Sequence, residues 1–237
     1  MSPQPESITA RRLEARFGSA PAEAILGVAL DRYEGRIAMT SSFGADAAVL
    51  LHMLSVTDPS VPVLMLDTAL LFRETLEYQR DLSAHLGLRD VRILRPDEAA
   101  DPDRTLHQRD TEACCALRKV APLEKALAGF DAVLTGRKRY QTRARARIQA
   151  FETDDAERLK ISPLAGWSSA DTIAYFDAHD LPRHPLVAQG YPSIGCAPCT
   201  TRVATGEDAR AGRWRGEARD ECGIHIREDG TIERIAG

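Results

Sequence analysis

Near the start of the chain, apolar residues recur at helical spacing. Ala22, Ile25, Leu26, Ala29, Leu30 and Tyr33 share one face of a helix predicted from about Ile8 to Tyr33. A short apolar run, Ile37-Ala38-Met39, ends in Thr40-Ser41-Ser42-Phe43-Gly44-Ala45-Asp46. Ala47, Leu50, Leu51 and Leu54 then line a second helix. Val61–Leu66 is almost continuously apolar over strand length, the pattern of a strand covered on both faces. Leu71–Leu86 returns to helical spacing, Val91–Leu94 predicts a strand, Cys114–Leu127 a helix and Ala132–Thr135 another strand. Strands alternating with helices predict an α/β fold built on a parallel sheet. After Gly136 the periodicity fades. Asp171–Ala178 predicts one more helix, and beyond Leu181 Pro, Gly and Cys follow one another without period. The pattern divides the chain into an α/β unit over residues 1–180 and an irregular C-terminal extension over 181–237. The last stretch, Ile224–Ile235, is poor in apolar residues and suits a mobile tail.

Composition narrows the classes. A chain of 237 residues with 43% hydrophobic and 28% charged residues can build a full core, as one domain with an appendage rather than two domains. Lys and Arg total 31 against 35 Asp and Glu, a formal net charge of −4, which argues against a nucleic-acid binder. No apolar stretch approaches the roughly 18 residues of a membrane span, and residues 1–7 lack the basic start and apolar core of a signal peptide. The expectation is a cytoplasmic protein with reduced thiols and no membrane partner.

Ser41-Ser42-Phe43-Gly44-Ala45-Asp46 lies between a predicted strand and a predicted helix, where backbone N–H groups and a helix N-terminus can receive an anion. It lacks the Lys-Ser/Thr pair of the common P-loop, and an ordinary helix cap of Ser and Asp competes with phosphate binding. Arg137 to Arg147 holds six basic residues and no acidic one, directly after a predicted strand. Arginine forks suit a phosphate or sulfate oxyanion, while the interleaved aromatics that would favour RNA are missing. The cysteines carry more. Cys114 and Cys115 are adjacent, and Cys196-Ala197-Pro198-Cys199 is a C-x-x-C. Spacing leaves an iron–sulfur cluster and a zinc site equally open. A fifth, Cys222, stands among charged and glycine residues in Glu221-Cys222-Gly223-Ile224-His225, which favours a reactive thiol over a buried one. Glu221 beside it opposes thiolate formation, so activation has to come from elsewhere.

Four ordered motifs, Cys114-Cys115-Ala116-Leu117-Arg118-Lys119, Gly190 to Thr200, Gly206 to Trp214 and Glu221 to His225, resemble the APS/PAPS (adenylyl-sulfate and phosphoadenylyl-sulfate) reductase family. The similarity runs from Ser41 to His225. Asp67 to Thr75 resembles the family element L-D-T-G-x-L-F-P-E-T, with Ala69 in place of Gly and Arg73 in place of Pro. Gln141-Thr142 stands for a Q-S motif, and Arg215 where relatives often carry a second Trp.

The resemblance implies an adenine nucleotide alpha hydrolase-like (PP-loop type) fold in which Ser41, Ser42 and Gly44 cradle a phosphosulfate nucleotide. It implies substrate contacts from Lys119, Arg210 and Arg213, with Arg118 and Arg145 as additions. A [4Fe–4S] cluster on Cys114, Cys115, Cys196 and Cys199 accompanies use of APS rather than PAPS in this family. The implied activity is assimilatory reduction of APS to sulfite and AMP through a Cys222 S-sulfonate, with electrons from thioredoxin or a glutaredoxin-like donor. His225 is either a tail anchor that assists Cys222 or a plain surface histidine. Oligomeric state is open, a homo-oligomer included. The rivals are a PAPS reductase, a PP-loop enzyme that thiolates tRNA, and a zinc-stabilised nucleic-acid-binding module.

Overall fold

Gly18-Ser19-Ala20-Pro21 breaks the first helical stretch into α1 (Glu6–Phe17) and α2 (Ala22–Arg32), where periodicity alone predicts one helix. Pro21 has no N–H to donate and pushes Ala20 out of helical conformation, so the chain restarts with Pro21 at the N-cap. The computed structural model describes residues 6–154, 156–217 and 221. Beyond α2 the order is β1 (Ile37–Thr40), α3 (Ala47–Thr57), β2 (Val63–Leu66), α4 (Arg73–His85), β3 (Val91–Leu94), α5 (Leu106–Arg109), α6 (Thr111–Cys115), α7 (Ala121–Leu127), β4 (Ala132–Thr135), β5 (Phe151–Thr153), β6 (Leu159–Ile161) and α8 (Ser169–Ala178). The helix expected over 114–127 is therefore segmented. A π-turn over Ala116–Val120 joins α6 to α7, and such one-turn bulges often accompany functional sites.

The six strands run in the order β3-β2-β1-β4-β6-β5. All pairs are parallel except the edge strand β5, which is antiparallel to β6. The sheet is thus mostly parallel, with an antiparallel edge where periodicity had faded. Alternate residues of each strand face opposite sides. Ile37, Met39, Val63, Met65, Ala132 and Leu134 join a large core with α2, α3 and part of α8. Ala38, Leu64 and Val133 point the other way, onto Leu123 and Leu127 of α7. Both faces are covered, as the apolar run in β2 predicts. Among the described residues, no helix is long and apolar enough to cross a membrane.

Residues 181–217 hold only two short 3-10 turns, Val187–Gln189 and Ala197–Cys199. They lie against the loops after β1 and β2. Ala197 N–H donates to Leu70 O at 2.8 Å, and the carbonyl of Ile194 sits 3.5 Å from where a side chain on Gly44 would begin.

His184 anchors the start of this segment. Leu186 N–H donates to its Nδ1 at 3.2 Å, so the ring proton sits on Nε2, facing Thr75 Oγ1 at 3.1 Å. Burial pushes its pKa from 6.5 down to about 4. The unfolded chain takes up this proton as pH falls through 6.5, and the folded protein does not until about 4. Stability from the neutral ring is complete above that window and is lost as pH falls through it. Between pH 7 and pH 5, urea denaturation of the wild type should show roughly 2 kcal/mol more loss than His184→Asn, which keeps an acceptor for Leu186 N–H but cannot titrate. Equal losses would contradict this assignment.

Candidate active site

The chain leaves β1 toward β2 on one side and returns at β4 on the other, so the loops after these two adjacent strands part and open a crevice. A cavity of about 520 Å³ occupies it, a size suited to a small organic ligand. Ser41, Ser42 and Gly44 line it from the β1 side, Arg137 from the β4 side, Lys119 from the π-turn, and Arg145, Arg210 and Arg213 from farther along the chain.

The loop after β1 is held from within. Ser41 Oγ accepts from Phe43 N–H at 3.2 Å, and Phe43 takes φ +47° with its ring fully buried, a strained backbone fixed by packing. Asp46 stands at the N-cap of α3 but makes no side-chain cap. Its carboxylate accepts instead from Lys138 Nζ at 3.1 Å and Tyr140 Oη at 3.4 Å, tying the β1 loop to the β4 loop. Lys138 is 1% exposed. Burial pulls its pKa down, and Asp46 opposes that pull.

In the β4 loop, Arg137 donates from Nε to Thr135 Oγ1 at 3.2 Å and from Nη2 to Glu152 at 3.0 Å. Gln141 Oε1 accepts from Lys138 N–H at 3.1 Å and from Arg145 Nη1 at 2.5 Å. The basic run therefore splits by role. Arg137 and Arg145 line the cavity, Lys138 is a buried strut, and Arg143 and Arg147 are exposed.

On the opposite wall, Cys196 Sγ lies 3.2 Å from Thr68 Oγ1. The Arg213 guanidinium lies over Trp214 at 4.3 Å from the ring centroid and occupies the space a side chain on Gly195 would need, at 2.2 Å from such a Cβ. Gly212 is equally constrained, since a Cβ there would meet Thr201 O at 2.1 Å. Two glycines thus let this loop fold back and aim Arg213 at the cavity.

Cys114, Cys115 and Cys196 are buried and Cys199 half-buried, and no disulfide joins them. Burial, then the charges of Cys115 and Cys196, push the Cys114 thiol up, with Arg118 and Lys119 opposing. Cys199 is pushed up to about 11 by burial and Cys196, against Lys119 and Arg213. Among the described residues, no three His, Cys, Asp or Glu side chains are close enough to hold a single metal ion. The donor set nevertheless fits a thiolate-ligated centre in its chemistry. It offers four soft sulfurs with cations beside them, and at Cys114 and Cys199 burial disfavours a free thiolate.

Residues 36–202 match the model of the phosphoadenosine phosphosulfate reductase domain. The chain belongs to the phosphoadenosine phosphosulfate reductase family. An adenosine 5'-phosphosulfate reductase from Chelativorans sp. (strain BNC1) is 49% identical over 230 residues, covering 94% of each chain. One from Mesorhizobium japonicum is 49% identical, covering 90% of this chain and 86% of its own. Among solved structures, the phosphate complex of the phosphoadenylyl-sulfate reductase from Candida auris superposes with a TM-score of 0.73 at 25% identity, over 85% of this chain and 99% of that one. Candida glabrata FMN adenylyltransferase shares the fold alone, with a TM-score of 0.57 at 15% identity over 88% of this chain and 71% of its own.

The two departures from the family element fall at informative places. Ala69 takes φ +58°, a left-handed conformation that favours the family's glycine, and Asp67 Oδ1 holds the turn by accepting from Ala69 N–H at 3.0 Å. Arg73 opens α4, where Pro is commonly found, and pairs with Glu77 one turn on at 2.7 Å.

Of the substrate contacts that the resemblance to the reductase family implies, Ser41, Ser42, Gly44, Lys119, Arg145, Arg210 and Arg213 line the cavity and Arg118 does not. Arg118 is 1% exposed, donating to Thr68 O at 2.9 Å and Asp101 Oδ2 at 2.6 Å. It braces the cysteine-bearing turn against the loop after β2, so its guanidinium has no face toward a substrate. Cys222 and His225 lie outside the described residues. Sequence reasoning named Arg137 only within the basic run, and it missed Thr68, the Lys138–Asp46 strut and the partnership of Arg145 with Glu221. The acidic neighbour of Cys222 was the one available signal for the last.

Proposed function

We propose that this chain reduces adenosine 5'-phosphosulfate to sulfite and AMP with a dithiol of the thioredoxin type, in assimilatory sulfate reduction. The observation that carries the reading is the convergence on one cavity of the β1 loop, the cations Lys119, Arg210 and Arg213, and Cys196 of the four-cysteine set. In this reading the loop holds the phosphate, and the cations face the negative charge that grows on the leaving phosphate oxygen. The Cys222 thiolate attacks the substrate sulfur. An S–S bond forms, the S–O bond breaks, and AMP leaves with the electron pair. A thiolate of the reductant then attacks Cys222 Sγ and displaces sulfite, leaving a mixed disulfide. The reductant's second thiol resolves it and returns Cys222.

Cys114, Cys115, Cys196 and Cys199 would hold a [4Fe–4S] cluster, which when bound supplies a fixed charge distribution beside Lys119. The electron pair comes from the dithiol. Lys119→Ala should keep the cluster's visible absorption and lose about 100-fold in turnover. Undiminished turnover with intact absorption would remove Lys119 from the mechanism.

The reading is tested by offering the anaerobic protein adenosine 5'-phosphosulfate and its 3'-phosphorylated relative separately, without reductant, and mapping the sulfonate by peptide mass spectrometry. Label on Cys222 from the first only is expected. Label from the second only would move the protein to the sister activity. No label with Cys222 reduced would reject the mechanism.

A further inference from the structure

The loop over residues 200–215 leaves the second cysteine pair and returns to it. Thr200 and Arg213 meet in an antiparallel bridge, Thr201 N–H donates to Gly212 O at 2.8 Å, and Trp214 N–H donates to Cys199 O at 3.1 Å. Trp214 is buried and takes φ +47°, a strained backbone held by packing. The two arginines that flank it part company. Arg213 reaches the cavity, and Arg215 turns back across the loop to Glu207.

All three nitrogens of the Arg215 guanidinium donate. Nη1 donates to Glu207 Oε1 at 3.0 Å, and Nη2 to Glu207 Oε2 at 2.8 Å and to Arg202 O at 3.2 Å. Nε donates to Thr201 Oγ1 at 3.1 Å, and that hydroxyl donates in turn to Gly212 O at 3.3 Å. Glu207 Oε2 also accepts from Ala204 N–H at 2.8 Å. Arg215, then the Ala204 N–H, pull the Glu207 carboxyl down to about 2, so it is ionised throughout the neutral range. The side chains of Arg215 and Glu207 are 43% and 34% exposed, and an isolated pair so placed contributes little. A two-pronged pair joined to three further partners is the exception, because its geometry fixes backbone as well as charge.

What lies between the two residues is a tight turn. Ala211 N–H donates to Asp208 O at 2.9 Å, Arg213 N–H to Arg210 O at 2.8 Å, and Arg210 N–H to Asp208 Oδ1 at 2.8 Å. Arg210 and Arg213 line the cavity, whereas Glu207 and Arg215 do not.

We propose that Arg215 and Glu207 are positioning residues, a fork that closes the loop over 201–215 from outside so that Arg210 and Arg213 converge on the cavity as an oxyanion site. The inference rests on these two cations receiving the phosphosulfate group in the proposed reaction. Arg213 is held a second time by the bridge to Thr200, so Arg210, nearer the tip, depends more on the fork.

The test uses the full chain with its cluster, as wild type, Arg215→Met, Glu207→Gln and the double variant. Each single variant should bind adenosine 5'-phosphosulfate about tenfold more weakly, the effect of misplacing one charge-assisted contact. Each should bind adenosine, which carries no oxyanion, within about twofold of wild type. The double variant should lose no more than either single one, since the two residues act as a unit, whereas independent effects would multiply to about 100-fold. Equal weakening toward both ligands would show general loosening and overturn the inference. So would unchanged affinity for the phosphosulfate in both single variants. Hydrogen exchange of the nucleotide-free protein gives an arm independent of substrate. Arg215→Met should speed exchange in the peptide spanning residues 200–214, and unchanged exchange would overturn the fork whatever the wild type binds. Faster exchange, alongside a wild type that binds the phosphosulfate no more tightly than adenosine, would instead reject the reading of the cavity as its oxyanion site.

Discussion

Cys222→Ser should abolish reduction of adenosine 5'-phosphosulfate, with turnover down by at least about ten-thousandfold, while nucleotide binding stays within about threefold of wild type. Two physical reasons make the loss this deep. A serine hydroxyl is far less ionised than a thiol at neutral pH, so almost none of it is present as a nucleophilic anion. The second reason is stricter. Were serine sulfated, the adduct would hold sulfur through oxygen, with no S–S bond for the reductant's thiolate to cleave. Both half-reactions therefore fail at one atom. Binding survives because the β1 loop, Lys119, Arg210 and Arg213 are untouched. Equilibrium dialysis and steady-state assays check this, and residual turnover above about one per cent of wild type would mean another group carries the transfer.

The second large effect concerns stability. Arg118→Met should cost roughly 3–5 kcal/mol of unfolding free energy, the usual result of removing one member of a buried ion pair. Arg118 and Asp101 are respectively 1% and 3% exposed along their side chains and meet at 2.6 Å. Methionine fills much of the volume but leaves the carboxylate without its cation. Arg118 is the main cause of that carboxyl group's depressed pKa, with the N–H groups of Leu106 and Thr105 assisting against burial. Because the folded value is depressed, the pair's contribution is present above the ordinary carboxylate range and fades as pH falls through the folded value. Arg118→Lys, which keeps the charge and loses the fork to Thr68 O and Asp101, should fall between. Urea denaturation measures both. A loss under about 1 kcal/mol for Arg118→Met would show that the pair is not the brace its geometry indicates.

β3 and β4 begin and end at the residues predicted for them, β4 because a buried strand in a covered sheet leaves an uninterrupted hydrophobic signature, and the edge strand β3, whose middle residues are exposed, because Val91, Ile93 and Leu94 are bounded by Asp90 and by Arg95-Pro96. The split between α1 and α2 was legible too, at Gly18 and Pro21, but apolar periodicity alone bridges it. β5 and β6 were not legible. With three residues each, their strand character comes from partners, β6 from its parallel register on Ala132–Leu134 of β4 and β5 from β6. The sequence alone thus determined the chemistry available to this protein: a small-residue turn between strand and helix, two cysteine pairs, and a lone cysteine in a charged tail. Tertiary structure alone decided the use of its cations. Arg118 and Lys119 are neighbours in the chain, yet the π-turn sends one into a buried pair and the other into the cavity, since successive helical side chains point about 100° apart. Arg118 meets Asp101 across 17 residues and Arg145 meets Glu221 across 76. A charge carries no mark of its partner. Its role is set by burial and by which opposite charge the fold brings within hydrogen-bonding distance, and both exist only once the chain has closed around them.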